Sequence, residues 1–595
     1  MRRRSVMAMA LACAAAAGPV AAAGPAAAAG SAAAGQRIVR PLSGASYEWG
    51  VAEQAPGIAA LDHSGTGQLT SVSCAAGGAC SAGGFYTDGT SKLGQAFVIG
   101  ESGGVWKAAQ GLPTVATLNA GGSAEVAAVS CPAAGNCGAT GYYRASGAVQ
   151  PFVVAESGGT WDGAIAVPGA GTGDAQGLAE SCPVPGRCSI GGYLATETTS
   201  EIGFVDDQRP SHDWYAALPL PGSLGQQAPA GSVAKVMSIS CRSAGNCSAG
   251  GFYTDKHDDI QAFVADEKNG AWHAAQEVGA RLNANGYAEI TGVSCHSAGN
   301  CAAVGYYAPG VMQQRPFMVT SKNGTWGRAV TVTGIGALDT GHSSQLAAIS
   351  CGAAGGGGNC TAAGTYERAK DASQQAFTVT EQNGRWGSAR TVPGLDGWNT
   401  GRDATVAAIS CVSPGNCSVG GSFEQIGDVS QVWVASQHNG SWGVAGTVSQ
   451  LVNLNAGNAS DVTGLSCASV GSCGIVGYYY AGADDQQPFV ARGSIAVPTS
   501  TALTLSAGTV VAGHEQSEKF SVTVKTANGL PANGTVAIRA GSTTVCTITL
   551  SDNAGSCRPA ASKLKAGSYS LVARYGPTQV YMSSLSAART LKVKK

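Results

Sequence analysis

The sequence of 595 residues has few charged side chains and no cluster of basic ones. Asp, Glu, Lys and Arg make up 12% of the residues, about half the usual share, and the formal net charge is −1. Binding to the phosphate backbone of a nucleic acid needs clustered Lys and Arg. We therefore expect no nucleic-acid partner, and a neutral surface rich in Gly, Ser, Ala, Asn and Gln.

The sequence also has no apolar run long enough to span a bilayer after its leader, which predicts no transmembrane segment. Arg2–Arg4 precede an Ala-rich apolar stretch with small residues, a pattern typical of an export signal. We interpret residues 1–30 as a signal peptide and 31–44 as a flexible linker. Lipid attachment at Cys13 is disfavoured, because Ala10 stands where lipoprotein signals carry Leu or Val. The sequence therefore predicts a secreted protein, and it leaves the export route and any attachment to the cell surface open.

Motifs for metal ions and cofactors are missing as well. The eight histidines are dispersed, and no cysteine pair has the second pair or the histidines that a zinc site requires. Apart from Cys13, the cysteines fall into nine close sequential pairs, which in an exported protein predict disulfides. The predicted disulfides are Cys74–Cys80, Cys131–Cys137, Cys182–Cys188, Cys241–Cys247, Cys295–Cys301, Cys351–Cys360, Cys411–Cys417, Cys467–Cys473 and Cys546–Cys557. We expect no cofactor and no bound metal.

The first eight cysteine pairs mark a repeat. Their first cysteines recur every 51 to 60 residues, which is the period of a four-stranded propeller blade. Every repeat has Ser before the first cysteine, Gly four residues after the second, and an aromatic residue in the predicted third strand. A Trp marks the fourth strand, usually after a hairpin turn such as Asn323-Gly324. The sequence predicts an all-β protein with an eight-bladed β-propeller over residues 45–496.

The eighth repeat lacks this Trp after Phe489. Trp49 lies 25 residues before Cys74, and Trp442 lies the same distance before Cys467. We therefore predict that the N-terminal segment supplies the outer strand of the last blade. Such a closed ring removes the free strand edges that an open stack of sheets would expose.

Residues 45–496 resemble the Cys-hairpin propellers of secreted actinobacterial proteins of unknown function. The resemblance implies the architecture and gives no activity. The turn at Ser321–Trp326 resembles the Asp-box turn of sialidase propellers, but it lacks the Asp and the full spacing. It therefore implies no sialidase chemistry.

The cysteine repeat stops before residue 499, and short alternating strands begin. The segment Gly567–Gly576 is similar to the end of a bacterial immunoglobulin-like repeat. About seven short strands over residues 499–595 fit an Ig-like β-sandwich. In that family such modules are spacers or adhesive units, which the resemblance implies for this chain.

Candidate binding residues recur six positions before each first cysteine, where all eight repeats carry a polar residue. These are Gln68, Glu125, Gln176, Lys235, Glu289, Gln345, Thr405 and Asp461. They predict a polar ring at one mouth of the channel, able to bind a sugar or a small cation. The alternative is that strand starts are simply solvated. Glu180 is a further candidate, because it stands where the other repeats have Val, Ile or Leu, and an unpaired carboxylate there is costly. A local register shift is the alternative explanation.

These observations favour a secreted, non-catalytic binding or adhesion protein. We expect a monomer in which a propeller face with variable loops recognises a glycan or an extracellular protein, and the Ig-like domain acts as a spacer. We assign no catalytic residue. The alternatives are a purely structural envelope component and an extracellular carbohydrate-active hydrolase or lyase. A hydrolase would need two carboxyls about 5–5.5 Å or roughly 6.5–9.5 Å apart, drawn from Glu125, Glu180, Glu289 and Asp461.

Overall fold

The computed structural model describes most of the chain from residue 47 to residue 595. The residues outside this description are 1–46, 77, 90, 146, 196–199, 223–228, 312, 353–358, 496–498, 527–531, 533 and 577–582. The predicted signal peptide and linker lie among them. The fold is all-β, with 60% strand and 4% helix. None of the helices in the described part has the length and hydrophobicity of a membrane-spanning helix.

Eight antiparallel sheets of similar design follow one another along the chain, and we number them 1 to 8 by their first strands. The first strands are Gln68–Cys74, Ala124–Ala133, Ala175–Val184, Ala234–Ser243, Ala288–Ser297, Ser344–Cys351, Ala408–Ser413 and Ser460–Ser469. The second strands are Cys80–Thr87, Asn136–Arg144, Arg187–Ala195, Asn246–Thr254, Asn300–Tyr307, Cys360–Arg368, Asn416–Gln425 and Ser472–Gly482. The third strands are Gly94–Ser102, Val149–Ser157, Glu201–Asp207, Ile260–Lys268, Arg315–Lys322, Ser373–Gln382, Val429–His438 and Asp485–Ile495.

The fourth strand is short and interrupted. Its first segments are Val105–Trp106, Thr160–Trp161, Ala271–Trp272, Thr325–Trp326, Arg385–Trp386, Ser441–Trp442 and, for sheet 8, Tyr47–Trp49. Sheet 3 instead has Leu218–Pro219, which pairs with Phe204 and Val205 where the second segments of other sheets pair. In six sheets a second segment pairs further along the third strand. These are Gln110–Gly111, Ile165–Ala166, Gln276–Val278, Val330–Thr331, Arg390–Thr391 and Glu53–Gln54. In sheet 3 the Trp lies outside a strand: Trp214 forms a single bridge with Gln208.

The N-terminal strand belongs to sheet 8. Tyr47–Trp49 pairs antiparallel with Asp485–Ile495, and Trp49 lies opposite Gly493. A Cβ atom at Gly493 would come within 3.0 Å of the Trp49 ring, so the indole occupies the space that a side chain would take. The first and the last strands of the repeat region are therefore hydrogen-bonded neighbours.

Each short disulfide lies across the first hairpin of its sheet. Cys241 and Cys247 occupy opposite positions in the register, for example, and their Cα atoms are 4.0 Å apart. Disulfide bonds join all nine predicted pairs. A fully buried aromatic residue of each third strand, such as Phe97 or Trp433, packs behind the hairpin.

The serine before each first cysteine connects neighbouring sheets. Its hydroxyl accepts a hydrogen bond from the backbone N–H of the next sheet's first cysteine, at 2.9–3.0 Å. The first of these bonds runs from Cys131 to Ser73, and the eighth runs from Cys74 to Ser466, between sheets 1 and 8. An amide on the exposed edge of a first strand thereby gains an acceptor, which explains why every repeat has a serine here.

The glycine four residues after each second cysteine allows a close approach of two strands. A Cβ atom at Gly84 would lie 1.9 Å from the carbonyl oxygen of Gln68. A register shift lies beside this contact, between Leu69 and Ser71. No residue with a side chain fits such a position, so the repeat retains glycine.

Residues 499–595 form two further sheets. The smaller sheet contains Thr499–Leu505, Phe520–Thr526 and Ala554–Cys557. The larger sheet contains Thr509–Val511, Arg589–Lys594, Gly567–Tyr575, Thr535–Ala540, Thr543–Thr549 and Ser584–Leu585. Phe520, Val536 and Tyr575 are fully buried in one hydrophobic core between them. The helical turns of the described chain are Ile58–Ala60, Val115–Leu118, Ile335–Leu338, Leu451–Leu454 and Glu515–Ser517.

Candidate functional site

The eight polar residues of the predicted ring lie at or near the starts of the first strands, opposite residues of the second strands. Several of those second-strand residues are tyrosines: Glu125 pairs with Tyr142 and Glu289 with Tyr306. The second residue of each aromatic pair instead faces the core, as the edge contact of Tyr307 with its sheet's third-strand Phe shows. The ring residues are therefore surrounded by side chains of their own sheets.

Two of the three carboxyl groups of the ring are engaged by tyrosine hydroxyls. Glu125 accepts a hydrogen bond from Tyr142 at 2.9 Å. Glu289 accepts hydrogen bonds from Tyr306 at 3.1 Å and from Tyr287 at 3.3 Å, and these two tyrosines stack with ring centroids 5.7 Å apart. No tyrosine is among the groups that shift the pKa of the third carboxyl, that of Asp461, and its Oδ1 has no hydrogen-bond partner among the described residues.

Other members of the ring are held by residues of neighbouring sheets or by polar partners nearby. Lys235 forms an ion pair with Glu201 at 2.8 Å and lies 3.9 Å above the ring of Tyr193 in sheet 3. Gln68 accepts a hydrogen bond at 2.9 Å from the side-chain amide of Gln486, which belongs to sheet 8. These contacts connect adjacent sheets at this end of the first strands.

Burial changes the acidity of the ring carboxyls. It raises the pKa of Glu125 to about 7 and that of Asp461 to about 6, and it also raises the pKa of Glu289. Among the groups that shift the pKa of Glu125, Glu180, Glu289 or Asp461, none is another of these four carboxyls. Burial, rather than a second carboxyl of this set, is therefore the main cause of the raised pKa of each one.

Glu180 lies at the first-strand position where the other repeats have Val, Ile or Leu. The strand register around it is the same as in sheet 2, so a local register shift does not explain it. Glu180 pairs with Ile190, as Val129 pairs with Ala139 in sheet 2. Its Oε1 lies 3.6 Å from Cys182 Sγ, which is bonded in a disulfide and carries no proton, and its Oε2 has no hydrogen-bond partner among the described residues. Burial raises the pKa of Glu180 well above its usual value. Burial therefore disfavours the ionised form of this carboxyl.

A second set of buried polar residues was not anticipated from the sequence. It lies four residues after the third-strand aromatic residue in seven of the eight sheets. Its members are Glu101, Glu156, Gln208, Glu267, Ser321, Glu381 and Gln437. Glu156 accepts a hydrogen bond from Ser81 of the preceding sheet at 3.0 Å, and Glu101 pairs with Arg492 of sheet 8 at 2.6 Å. These residues form a polar layer between sheets, and their regular spacing after the aromatic residue was the signal that could have revealed them.

One member of this layer, Glu267, has a second carboxyl beside it, that of Asp207. Asp207 and Glu267 are close enough for the charge on Asp207 to raise the pKa of Glu267, although burial is the larger cause, and the resulting pKa is about 8. Asp207 accepts hydrogen bonds from Ser189 and from the indole of Trp272. Glu267 is 4% exposed, so the pair is held inside the structure and is poorly placed to meet a substrate.

A groove lies between sheets 6 and 7, at the end of the sheets that carries the Asn-Gly turns. Its volume is about 980 Å³. Sheet 6 contributes Arg385, Trp386 and Arg390, and sheet 7 contributes Gln437 and Trp442. A smaller cavity of about 250 Å³ adjoins it and shares part of its wall. The sequence favours binding at a face with variable loops, and this groove between two sheets was not predicted.

Four of the eight tryptophans at this position are partly exposed: Trp386 and Trp442 of the groove, and also Trp49 and Trp272. Trp106 and Trp161 are buried, with 5% of their surface exposed, whereas Trp386 and Trp442 are partly exposed. An indole with an accessible face offers an apolar platform beside a polar N–H group. In sequence all these tryptophans mark the same strand, so the sequence pattern alone did not distinguish them.

The groove between sheets 6 and 7 is also lined by polar groups. Gln437 is 2% exposed, and its Oε1 has no hydrogen-bond partner among the described residues. The indole N–H of Trp386 likewise has no acceptor there. Thr380 and Gln382 line the groove with hydroxyl and amide groups. An apolar platform with a few polar groups is the usual composition of a small-molecule or sugar site.

Comparison with known proteins identifies the C-terminal module. Residues 503–594 match the family model of the bacterial Ig-like domain (group 3). The C-terminal module is a bacterial Ig-like domain. The match confirms the resemblance that the sequence indicated for this segment. No curated protein matches the chain.

Solved structures similar to the chain include propeller-like proteins. The GH74 xyloglucanase of Xanthomonas campestris is 12% identical with a TM-score of 0.40, over 80% of this chain and 65% of the xyloglucanase. The Dos1 propeller is 11% identical with a TM-score of 0.40, over 76% of this chain and 95% of its own length. An ulvan lyase of polysaccharide lyase family PL25 is 11% identical with a TM-score of 0.36, over 61% of this chain and 90% of the lyase. Likenesses of this strength carry no activity over to this chain.

Proposed function

We propose that sheets 1 to 8 form a closed eight-bladed propeller over residues 45–496, followed by the Ig-like domain over 499–595. The hydrogen bond from Cys74 to Ser466 repeats between sheets 8 and 1 the contact found between every other neighbouring pair. The pairing of Tyr47–Trp49 with sheet 8 supports the same arrangement. A closed ring holds the groove between sheets 6 and 7 in a fixed shape.

We further propose that the protein is a secreted, monomeric and non-catalytic glycan-binding protein. The nine disulfides are consistent with an extracellular protein. The observation that carries the proposal is the groove itself, where Trp386 and Trp442 are partly exposed beside hydroxyl, amide and guanidinium groups. Sugar rings present apolar C–H faces and hydroxyl edges, which match an indole face surrounded by hydroxyl and amide groups.

The composition of the groove favours binding over hydrolysis. No Asp or Glu lines it, and the adjoining cavity contributes only Glu381. Glycoside hydrolysis generally needs two carboxyls on either side of the scissile bond. In this proposal the Ig-like domain is a spacer that carries the propeller.

For the polar ring we propose a structural role. The carboxyls of Glu125 and Glu289 are hydrogen-bonded to tyrosines, and Lys235 is paired with Glu201. The network stabilises the first-strand ends of neighbouring sheets. Glu289→Gln should therefore leave glycan binding unchanged.

A glycan array probed with the full chain tests the function. We expect wild-type protein to bind a set of glycans and Trp442→Ala to lose roughly tenfold or more in affinity, because truncating an aromatic anchor of a binding site costs on the order of 2 kcal/mol. Trp326→Ala is the matched control, since Trp326 occupies the same position in sheet 5 and is buried. Its affinity per folded molecule should equal that of the wild type.

The proposal fails in two ways that the array can detect. Wild-type protein that binds no glycan on an array of plant, algal, bacterial and animal sugars contradicts it. So does Trp442→Ala protein that binds as well as the wild type while its circular dichroism spectrum shows an intact fold. Loss of binding in Glu289→Gln instead moves the site to the polar ring.

A further inference from the structure

We propose that the groove between sheets 6 and 7 selects anionic sugar chains, whose carboxylate or sulfate groups pair with Arg385 and Arg390. This inference rests on the proposed glycan-binding function and names the ligand class of the same site. It is carried by the placement of two unpaired guanidinium groups at a groove that has no acidic wall residue.

Both arginines are exposed, and neither has an ion pair or a side-chain hydrogen bond within the described chain. Some arginines elsewhere are instead paired with carboxylates: Arg315 pairs with Asp339 at 2.5 Å, and Arg492 pairs with Glu101 at 2.6 Å. A guanidinium group presents a planar fork of donors that matches a carboxylate or a sulfate. Arg385 and Arg390 thus have donors available for a ligand.

The surroundings leave this positive charge uncompensated. The adjoining cavity, which shares part of the groove wall, is lined by one carboxyl among the described residues. It is that of Glu381, which is 3% exposed. Burial raises its pKa, so its ionised form is disfavoured relative to a solvated glutamate. The groove therefore has a net positive charge over a range of pH, and an anionic ligand gains from it.

Comparison of the eight repeats shows that the fold does not require these arginines. Arg385 immediately precedes its Trp, and Arg390 follows it by four residues. The residues that precede the other tryptophans are Glu48, Val105, Thr160, Asp213, Ala271, Thr325 and Ser441. The residues four positions after the other tryptophans are Glu53, Gln110, Ile165, Leu218, Gln276, Val330 and Gly446. Sheet 6 alone has a basic residue at either position, and it has one at both.

The remaining wall indicates a sugar chain rather than a bare anion. Trp386 and Trp442 offer apolar faces, and the unpartnered Oε1 of Gln437 is an acceptor for a hydroxyl group. An inorganic anion such as sulfate has no apolar face to pack against the indoles and no hydroxyl group to donate to Gln437. A volume of about 980 Å³ also accommodates more than one sugar ring.

Titration calorimetry of the full chain with matched probes tests the inference. The first pair is an oligogalacturonate and its methyl ester, and the second is dextran sulfate and dextran. We expect at least one charged member to bind roughly tenfold tighter than its uncharged counterpart at low salt, and the difference to shrink as salt rises. Inorganic sulfate alone should bind at least roughly tenfold more weakly than that charged glycan.

The variant Arg385→Ala/Arg390→Ala should bind the two members of that pair within roughly twofold of each other, while its affinity for the uncharged member stays near the wild-type value. Arg281→Ala is the control for a lost charge, because Arg281 is exposed and lies outside the groove. It should keep the wild-type preference.

The inference is overturned if wild-type protein binds the charged and uncharged members of both pairs equally, or if the double variant keeps the preference. Tight binding of inorganic sulfate, equal to that of a charged glycan, overturns it as well. In each of these cases the proposed function is retained if Trp442→Ala lowers the affinity for an array glycan by roughly tenfold or more. Failure of the proposed function is a separate result, in which no glycan of either kind is bound.

Discussion

At the scale of single residues, Gly138 and Glu180 depend on each other across the space between sheets 2 and 3. A Cβ atom at Gly138 would lie 2.1 Å from Oε1 of Glu180. The corresponding positions between sheets 1 and 2 hold Ser81 and Val129. Glycine therefore makes room for a carboxyl that the other repeats do not contain.

This dependence predicts the effects of three variants on the free energy of unfolding. Glu180→Val should raise it by about 2 kcal/mol, because it removes a buried polar group without a donor. Gly138→Ser should lower it by about 2 kcal/mol through overpacking. The double variant should recover part of that loss, since it removes the contact with the Glu180 carboxyl, whereas the sulfurs of Cys182 and Cys188 would still lie 2.8 Å from a Cβ atom at Gly138. Chemical denaturation of the four proteins measures all three values.

A loss of stability in Glu180→Val would contradict this account. It would show that the carboxyl has a favourable partner in solution and that the exception in sheet 3 serves a function. Circular dichroism of each variant at low denaturant is the control for an intact fold.

At the scale of strands and sheets, the serine hydrogen bonds connect neighbours, and two of them form a matched pair. Ser240 accepts from Cys295 within the series, and Ser466 accepts from Cys74 between the last sheet and the first, both at 3.0 Å. In a closed ring, Ser240→Ala and Ser466→Ala should each lower the free energy of unfolding by about 1–2 kcal/mol, because each leaves a backbone amide without its acceptor. Ser102→Ala, at an exposed position, should have no measurable effect.

Denaturant titrations of these three variants measure the losses. If Ser466→Ala behaves like Ser102→Ala while Ser240→Ala is destabilised, the contact between sheets 8 and 1 does not hold in solution. The closed propeller would then be wrong, although each sheet would remain as described.

The sheets were predictable because their signals are local in sequence. The hairpin of Cys241 and Cys247 and the turn at Asn323 each lie within a few residues. The purpose of the repeated serine was not predictable, because its partner lies in the next sheet, 52 to 61 residues away, or 392 residues away for Ser466. Contacts between repeats depend on how the sheets are arranged, and a residue pattern within one repeat does not contain that information.

The candidate site was predictable only in part, for the same reason. The polar ring residues were found by their fixed distance from a cysteine, but their tyrosine partners emerged from strand register. The groove was missed because Trp386 and Trp442 share a sequence position with buried tryptophans, and exposure depends on the gap between two sheets. The signal in the sequence that could have pointed to the groove was Arg385 and Arg390, because no other repeat has a basic residue at either position.

At the scale of the whole molecule, buried carboxyls make stability depend on pH. Burial raises the pKa of Asp206 and of Glu267 to about 8, and that of Glu125 to about 7. In the unfolded chain these groups ionise near pH 4. The folded state therefore retains protons that the unfolded state releases, and the resulting stability, complete below about pH 4, is lost as the pH rises towards 8.

We accordingly expect the midpoint of thermal unfolding to be higher at pH 5 than at pH 8 by several degrees. Differential scanning calorimetry at constant ionic strength measures this difference. Asp206→Asn/Glu267→Gln should flatten the dependence, because an amide keeps the volume of the protonated acid and has no charge to bury. An unfolding midpoint that rises from pH 5 to pH 8 in the wild type, or a double variant with an unchanged slope, contradicts the assignment. The pH dependence of the unfolding midpoint would then arise from other titratable groups. The carboxyls of the polar layer between the sheets would be ionised and paired in the folded protein.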